Sequence, residues 1–261
     1  MKIGVSTSCL YPLETEKALL GVAKAGIKTT EIFFNANCEL EKDFVAGLKK
    51  TKDEYGIEIV SVHPTMSLAE SFMFFSNYQR RYVEGMDFYK RYAEIAGELG
   101  AKYIIMHGGK PNRVLDNRGY FERFAHIAEA VRKNGAVLLQ ENVVKFRAGD
   151  IGVLADMKEY LGDSAAFCLD IKQCVRGGYS PFSALGILKD SVKHIHISDN
   201  TEDNDCMLPL SGNFDFSAFF ELCERVNYKG DAIVEVYRDS YEKPEELYTA
   251  YRNFSKYVML Q

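Results

Sequence analysis

Six side chains that can bind a metal ion or move a proton each lie at the end of, or within, a short apolar run. They are three histidines and three carboxylates: His63, His107, Glu141, Asp170, His196 and Glu235. Imidazole nitrogens and carboxylate oxygens, with no thiolate among them, are ligands that suit Mn²⁺, Mg²⁺, Co²⁺ or Zn²⁺. Carboxylates gathered in one place cannot all stay ionised unless a cation lies beside them. If these residues meet in space, they predict a divalent metal site.

Taken singly, most of these residues have a simpler interpretation. Asp170 alone fits a turn or a helix cap, and a lone His63 or His107 is more often a core histidine with satisfied hydrogen bonds. Glu235 is different, because it interrupts the apolar run Ala-Ile-Val-Glu-Val-Tyr and a charge there needs a partner. The hypothesis of a metal site therefore depends on whether the fold brings the six residues together.

Short β-branched runs alternate with amphipathic segments along the whole chain. The eight predicted strands are Lys2–Ser6, Thr29–Phe34, Ile57–His63, Lys102–His107, Ala136–Glu141, Ala166–Asp170, Lys193–Ile197 and Asp231–Tyr237. The eight predicted helices cover approximately residues 14–26, 40–55, 77–99, 117–134, 150–161, 181–189, 215–226 and 243–259. Strict alternation of strand and helix predicts a parallel sheet covered by helices, and eight units favour a closed barrel. We therefore predict an α/β protein with a single (β/α)8 barrel domain over residues 1–261.

In a barrel of this kind the carboxyl ends of all strands meet at one rim, where active sites lie. The six candidate residues belong to six consecutive strands, the third to the eighth, so they would share that rim. On the seventh strand, His194 and His196 share one face while Ile195 and Ile197 share the other. The isoleucines suit the helix-facing side. We therefore take His196 as a ligand and His194 as a core residue or a support beneath it.

The composition and charge of the chain indicate which partners and which cellular compartment to expect. The chain of 261 residues has a net charge of −5 and shows no basic stripe, so no nucleic-acid partner is expected. Its six cysteines form no CxxC pair, which favours reduced thiols and a reducing compartment. With no signal-peptide pattern and no apolar run of membrane-spanning length, we expect a cytoplasmic location and no membrane partner.

The ordered motifs resemble those of the xylose isomerase-like barrels over nearly the whole chain. The matching motifs are His63-Pro64, His107-Gly108-Gly109, Glu141-Asn142, Leu169-Asp170, His194-Ile195-His196-Ile197-Ser198-Asp199 and Val234-Glu235. That superfamily includes sugar and sugar-phosphate isomerases and epimerases, inosose dehydratases, hydroxypyruvate isomerase and abasic-site nucleases of the endonuclease IV type. The resemblance implies one divalent ion held by Glu141, Asp170, His196 and Glu235. It also implies that His63 lies on the sugar side of the pocket and that His107 lies in the pocket or just behind it. We expect Lys172 and Gln173, which follow Asp170 in the chain, to bind substrate as well.

The resemblance further implies the type of reaction. A divalent ion that chelates a carbonyl and a neighbouring hydroxyl acidifies the adjacent C–H bond and stabilises an enediolate. In such a site Glu141 and Glu235 exchange the proton of the substrate, which gives epimerisation or aldose–ketose isomerisation. Loss of a β-hydroxyl from the same intermediate gives dehydration, so a dehydratase is an alternative. The expected partners are a small sugar or polyol and, in a homo-oligomer, other copies of the chain.

Two departures from the family pattern bear on the remaining alternatives. Gln173 stands where many relatives have a histidine three residues after the aspartate, and Met207 stands near the place of another zinc-binding histidine in the nucleases. An arginine common near that loop in the epimerases is also missing. These changes argue against a nuclease with several zinc ions. A barrel that binds sugar without catalysis is the other alternative, because fold similarity alone does not establish activity.

Two further features have open interpretations. The segment Ser67–Tyr78 contains Phe72, Met73, Phe74, Phe75 and Tyr78, which suits a lid over the site, an interface or the start of a helix. Five basic residues follow strand ends and offer weak support for phosphate recognition, although solvated loop cations are commoner. They are Lys110, Lys145, Arg147, Lys172 and Arg176.

Overall fold

Eight parallel strands close into one barrel in chain order, which confirms the predicted fold. The computed structural model describes residues 1–65, 67–111 and 114–260. The strands are β1 (Ile3–Ser6), β2 (Thr29–Phe33), β3 (Glu58–His63), β4 (Tyr103–Met106), β5 (Val137–Glu141), β6 (Phe167–Asp170), β7 (Val192–Ile197) and β8 (Asp231–Val234). β1 pairs with both β2 and β8, so no strand edge is left open.

Ten α-helices surround the barrel in the described part of the chain. They are α1 (Thr15–Lys24), α2 (Lys42–Tyr55), α3 (Ser67–Met73), α4 (Gln79–Leu99), α5 (Asn117–Lys133), α6 (Ile151–Leu161), α7 (Ile171–Arg176), α8 (Pro181–Leu188), α9 (Phe216–Arg225) and α10 (Pro244–Met259). Eight of them correspond to predicted helices, while α3 and α7 are short additions at the rim. None of these helices combines the length and the apolar character that crossing a bilayer requires.

Three strands are shorter at the rim than predicted. β2 ends at Phe33 instead of Phe34, β4 ends at Met106 instead of His107, and β8 ends at Val234 instead of Tyr237. The last residue of β8 pairs with Ile197, which is also the last residue of β7. The N–H of Glu235 still donates to the carbonyl of Ile197 at 2.9 Å, which keeps the glutamate aligned with the barrel wall.

The apolar core has two parts, and the inner one leaves room for polar groups. The larger part fills the space between strands and helices and includes Ile195 and Ile197. A small cluster inside the barrel consists of Ile105, Leu139, Ala166 and Cys168. Above it the barrel interior carries buried polar side chains, among them Glu31, Ser61 and His194. The isoleucines therefore face the helices as predicted.

The apolar segment after β3 belongs to the core. Phe74 and Phe75 are fully buried, with the ring of Phe74 5.0 Å from Tyr89 and the ring of Phe75 stacked 4.5 Å from Tyr120. Phe72, by contrast, is 64% exposed. For Phe74 and Phe75 this burial favours a position in the core over a lid, because helices α4 and α5 hold both rings. The alternative of a helix start is correct, since α3 occupies this segment.

Candidate active site

The four predicted metal ligands meet at the carboxyl ends of β5, β6, β7 and β8. One donor atom from each of Glu141, Asp170, His196 and Glu235 lies within 4.8 Å of every other. The imidazole nitrogen Nδ1 of His196 is the common neighbour. It lies 3.0 Å from Glu141 Oε1, 3.3 Å from Glu235 Oε2 and 3.9 Å from Asp170 Oδ2. We call these four residues the carboxylate cluster.

The carboxylate cluster fits a divalent ion. Ligand atoms that share an ion at about 2.0–2.2 Å lie roughly 3.0–3.5 Å apart, close to the observed separations. Three carboxylates at this distance repel each other strongly in a buried site, so a cation belongs among them. In addition, Glu141 Oε2 is buried and has no hydrogen-bond partner of good geometry in the described residues, although His107 Nε2 is 2.9 Å away.

Glu31 is a candidate site residue that the sequence analysis did not predict. This glutamate on β2 is completely buried, and its Oε2 lies 3.2 Å from Nε2 of His196. It also accepts hydrogen bonds from the hydroxyls of Ser61 at 2.7 Å and Ser6 at 3.1 Å. Its signal in the sequence was the same as that of Glu235, a charge inside an apolar run, here Thr-Thr-Glu-Ile-Phe.

Glu31 and the carboxylate cluster contact opposite sides of the His196 imidazole. Because carboxylates only accept, both ring nitrogens of His196 must donate in the metal-free protein. Burial lowers the pKa of His196, but the charges of Cys168, Glu235 and Glu31 outweigh it and raise that pKa well above the usual range. A metal ion requires a deprotonated nitrogen, so an ion at the carboxylate cluster would displace the proton from Nδ1, while Glu31 keeps the proton on Nε2.

Asp170 caps a helix and also faces the carboxylate cluster. Its Oδ1 accepts the backbone N–H of Gln173 at 3.0 Å and caps the amino end of α7. Its Oδ2 faces His196 in the carboxylate cluster. Burial raises the pKa of Asp170 to about 6, against the opposing charge of Lys172. The helix cap therefore fixes the carboxylate in the orientation that a ligand needs.

The two glutamates of the carboxylate cluster are held in the ionised form. Burial would raise the pKa of Glu141, yet nearby His107 and His196 hold it well below its usual range. For Glu235 the pKa is likewise lowered, because His196 and Lys172 outweigh the effect of burial. Both carboxylates are therefore proton acceptors at neutral pH.

Lys172 is buried against the carboxylate cluster. Its ammonium nitrogen lies 2.6 Å from Asp170 Oδ2 and 3.0 Å from Glu235 Oε2. Burial would lower the pKa of this lysine, but the charges of Asp170 and Glu235 raise it well above the usual range. The sequence predicted Lys172 as a residue of the substrate pocket, and it does line the cavity.

His63 and His107 form a pair beside Glu141. Their Nε2 atoms lie 2.9 Å apart, and the ring of His63 stacks on Phe33 with a centroid distance of 4.4 Å. Burial lowers the pKa of His63, but Glu141 raises it overall. One nitrogen from each histidine and one oxygen of Glu141 lie within 4.8 Å of each other, so these three also have the composition of a cation site.

A buried glutamate behind the pair supports the turn after β4. Gly108 has a φ of +85°, and a Cβ atom there would overlap the hydroxyl of Tyr120. Its N–H donates to Oε2 of Glu70 at 2.6 Å, while the hydroxyl of Tyr89 donates to Oε1 at 2.5 Å. Burial raises the pKa of Glu70. Glu70 on α3 therefore positions the backbone next to His107.

A cavity of about 330 Å³ opens above the carboxylate cluster. Its walls include the predicted residues His63, His107, Glu141, Lys172, Gln173 and Glu235, together with Ser8, Tyr11, Phe33, Tyr237 and Arg238. The amide oxygen of Gln173 accepts the backbone N–H of Val144 at 3.1 Å, so part of this side chain serves the loop. The pocket thus combines aromatic faces with a few polar groups, which is typical of a small-molecule site.

The basic residues considered for phosphate mostly have structural partners. Arg147 donates to Asn117 at 2.6 Å and to the carbonyl of Leu115 at 2.8 Å. Arg176 forms a paired contact with Asp205, with both distances at 2.6 Å. Among the cations proposed from the sequence, Lys172 lines the cavity as described, and Arg238 joins it without having been predicted.

Comparisons with known proteins agree with this architecture. The family model described as xylose isomerase-like TIM barrel matches residues 20–257. An uncharacterized protein of Mycobacterium leprae is 23% identical over 94% of this chain and 92% of its own length.

Two solved structures share the fold at low identity. The 3-keto-D-glucoside 4-epimerase of E. coli has a TM-score of 0.75 and 18% identity, covering 98% of this chain and 99% of that chain. The D-psicose 3-epimerase of Clostridium cellulolyticum, solved with D-tagatose, has a TM-score of 0.80 and 16% identity, covering 99% of each chain. Given the match of the family model over most of its length, the chain belongs to the xylose isomerase-like TIM barrel family.

Proposed function

We propose that this protein is a divalent-metal-dependent sugar epimerase or isomerase that acts on the carbon next to a carbonyl group. One observation carries the proposal: Glu141 and Glu235 both line the cavity and both contact the same nitrogen of His196. They come from β5 and β8, which lie three strands apart in the barrel of eight. The two carboxylates therefore reach the cavity from different parts of the barrel wall.

The roles of the side chains follow from this arrangement. Glu141, Asp170, His196 and Glu235 would hold the ion, which supplies Lewis-acid polarisation of a carbonyl oxygen when bound. One glutamate removes the proton from the adjacent carbon. The other, once protonated, returns a proton to the opposite face for epimerisation, or to the neighbouring carbon for isomerisation. His63 and His107 are placed to donate hydrogen bonds to hydroxyl groups of the sugar.

The cavity favours an uncharged sugar over a sugar phosphate. Among the described residues that line it, the cationic side chains are Lys172 and Arg238. Lys172 is bonded to two carboxylates, and Arg238 donates to the carbonyls of Tyr241 and Glu242 at 2.6 and 2.7 Å. The exposed faces of Tyr11 and Tyr237 suit the C–H surface of a sugar ring. The two solved neighbours named above are epimerases of sugars, which supports the same substrate class.

Proton exchange with solvent gives the direct test. The protein, loaded with Mn²⁺, is incubated in heavy water with single ketoses, including D-fructose, D-tagatose and D-psicose, and deuterium uptake is followed by NMR. We expect uptake into at least one ketose by the wild type. In Glu141→Gln and in Glu235→Gln we expect rates lower by about 10²–10⁴-fold, the usual contribution of a positioned acid or base.

Two controls accompany this experiment: the metal content of each variant is measured, and one variant changes a glutamate away from the cavity. Glu221→Gln, which changes an exposed glutamate on α9, should retain the wild-type rate. The proton-transfer roles would be wrong if either active-site variant kept nearly normal rates with full metal content. An absence of uptake into every ketose by metal-loaded wild type would contradict the proposed reaction itself.

A further inference from the structure

We infer that the positively charged ammonium group of Lys172 weakens the binding of the divalent ion to the carboxylate cluster. The inference rests on the metal dependence in the proposed function and concerns how tightly this chain holds its ion. The ammonium lies 2.6 Å from Asp170 Oδ2 and 3.0 Å from Glu235 Oε2. These are the same oxygens that face Nδ1 of His196. The lysine therefore shares two ligand atoms with the ion.

The position of Lys172 is fixed by its surroundings. Only 2% of the residue is exposed, and its backbone lies in the first turn of α7, two positions after the ligand Asp170. The ring of Tyr237 covers the ammonium at 5.3 Å, and Arg176 donates to the hydroxyl of Tyr237 at 2.9 Å. Because Arg176 is in turn held by Asp205, this layer keeps the ammonium against the carboxylates.

Electrostatics gives the sign of the effect. A positive charge that shares two oxygens with a divalent cation repels it at short range in a poorly screened site. The ammonium also neutralises Asp170 and Glu235 when no ion is bound, which stabilises the metal-free protein. Removal of the charge therefore strengthens metal binding and weakens the metal-free fold, and both effects increase the stabilisation by metal.

The test compares wild type with Lys172→Met, which retains the length and apolar stem of the side chain. Mn²⁺ affinity is measured by isothermal titration calorimetry, and thermal unfolding is followed with EDTA and with Mn²⁺. We expect the dissociation constant to fall by at least about tenfold in the variant. The midpoint of unfolding in EDTA should also fall, and the rise produced by Mn²⁺ should be larger than in wild type.

Two further variants distinguish the effect of the Lys172 charge on Mn²⁺ affinity from an effect on folding. Lys172→Gln is neutral but can still donate to Asp170, so it should fold in EDTA and bind Mn²⁺ more tightly than wild type. Lys145→Met removes the same charge from an exposed position on the same rim and should leave the affinity unchanged. Equal or weaker Mn²⁺ binding by both Lys172 variants would overturn this inference alone. Absence of Mn²⁺ binding in all four proteins would overturn it together with the metal site.

Discussion

Glu31 Oε2 lies 3.2 Å from Nε2 of His196, on the side of the imidazole ring that faces away from the carboxylate cluster. The pairing fixes which nitrogen of His196 keeps its proton and which one can bind an ion. Carboxylates in this supporting position orient metal-binding histidines and increase their basicity. In the proposed metal site the buried glutamate would therefore support His196 without acting as a ligand.

Replacement of this support should weaken metal binding. For Glu31→Gln we expect the Mn²⁺ dissociation constant, measured by calorimetry, to rise by about 10–100-fold. Glu39→Gln is a matched control, because Glu39 is also buried but accepts from Asn35 and Thr15 instead of a histidine. The control should alter stability without altering the affinity for Mn²⁺. Equal affinities in Glu31→Gln and wild type would show that the pairing does not support the ligand.

Glu70 should make stability depend on pH. Burial raises the pKa of its carboxyl in the folded protein above the unfolded value, so the folded state binds more protons between those two values. Ionisation of Glu70 therefore destabilises the folded state. The free energy of unfolding falls as pH rises from the unfolded pKa through the folded pKa. We therefore expect Glu70→Gln to gain stability relative to wild type between pH 4.5 and 7.5, measured by urea unfolding. A difference that stays constant over this range would contradict the assignment.

An exposed and a buried phenylalanine of the segment after β3 should respond differently to substitution. Phe74→Ala removes a fully buried ring and should lower the free energy of unfolding by about 3–5 kcal/mol. Phe72→Ser changes an exposed ring and should alter it by less than about 0.5 kcal/mol. Chemical denaturation of both variants provides the comparison. A small effect of Phe74→Ala would contradict the position of that ring in the core.

Thiol chemistry gives an independent test of burial. All six cysteines are free, and Cys38 is exposed while the other five are buried. Burial raises the pKa of the Cys9 thiol to about 12, so its reactive thiolate is scarce. We expect a single rapid reaction with DTNB in the native protein and none in Cys38→Ser. Six thiols should react after denaturation, and a second fast thiol in the native state would contradict the packing around the barrel.

The barrel and most of its rim could be predicted from the amino-acid sequence. Alternation of strand and helix set the fold, and the ends of the apolar runs placed Glu141, Asp170 and His196 correctly, because side-chain direction in a strand follows a period of two. The same alternation placed Ile195 and Ile197 on the outer side of β7. Local periodicity was sufficient for these residues.

Which further groups reach the carboxylate cluster depends on the packing of the whole chain. The pairing of β2 with β3 shifts register between Thr30 and Glu31, and this shift depends on the partner strand, which local periodicity does not describe. The position of Lys172 also depends on distant parts of the chain, since its long side chain reaches Glu235, 63 residues away in the sequence. Such contacts arise from the closure of the barrel, which brings distant strands to one rim and lets a buried charge find its partner there.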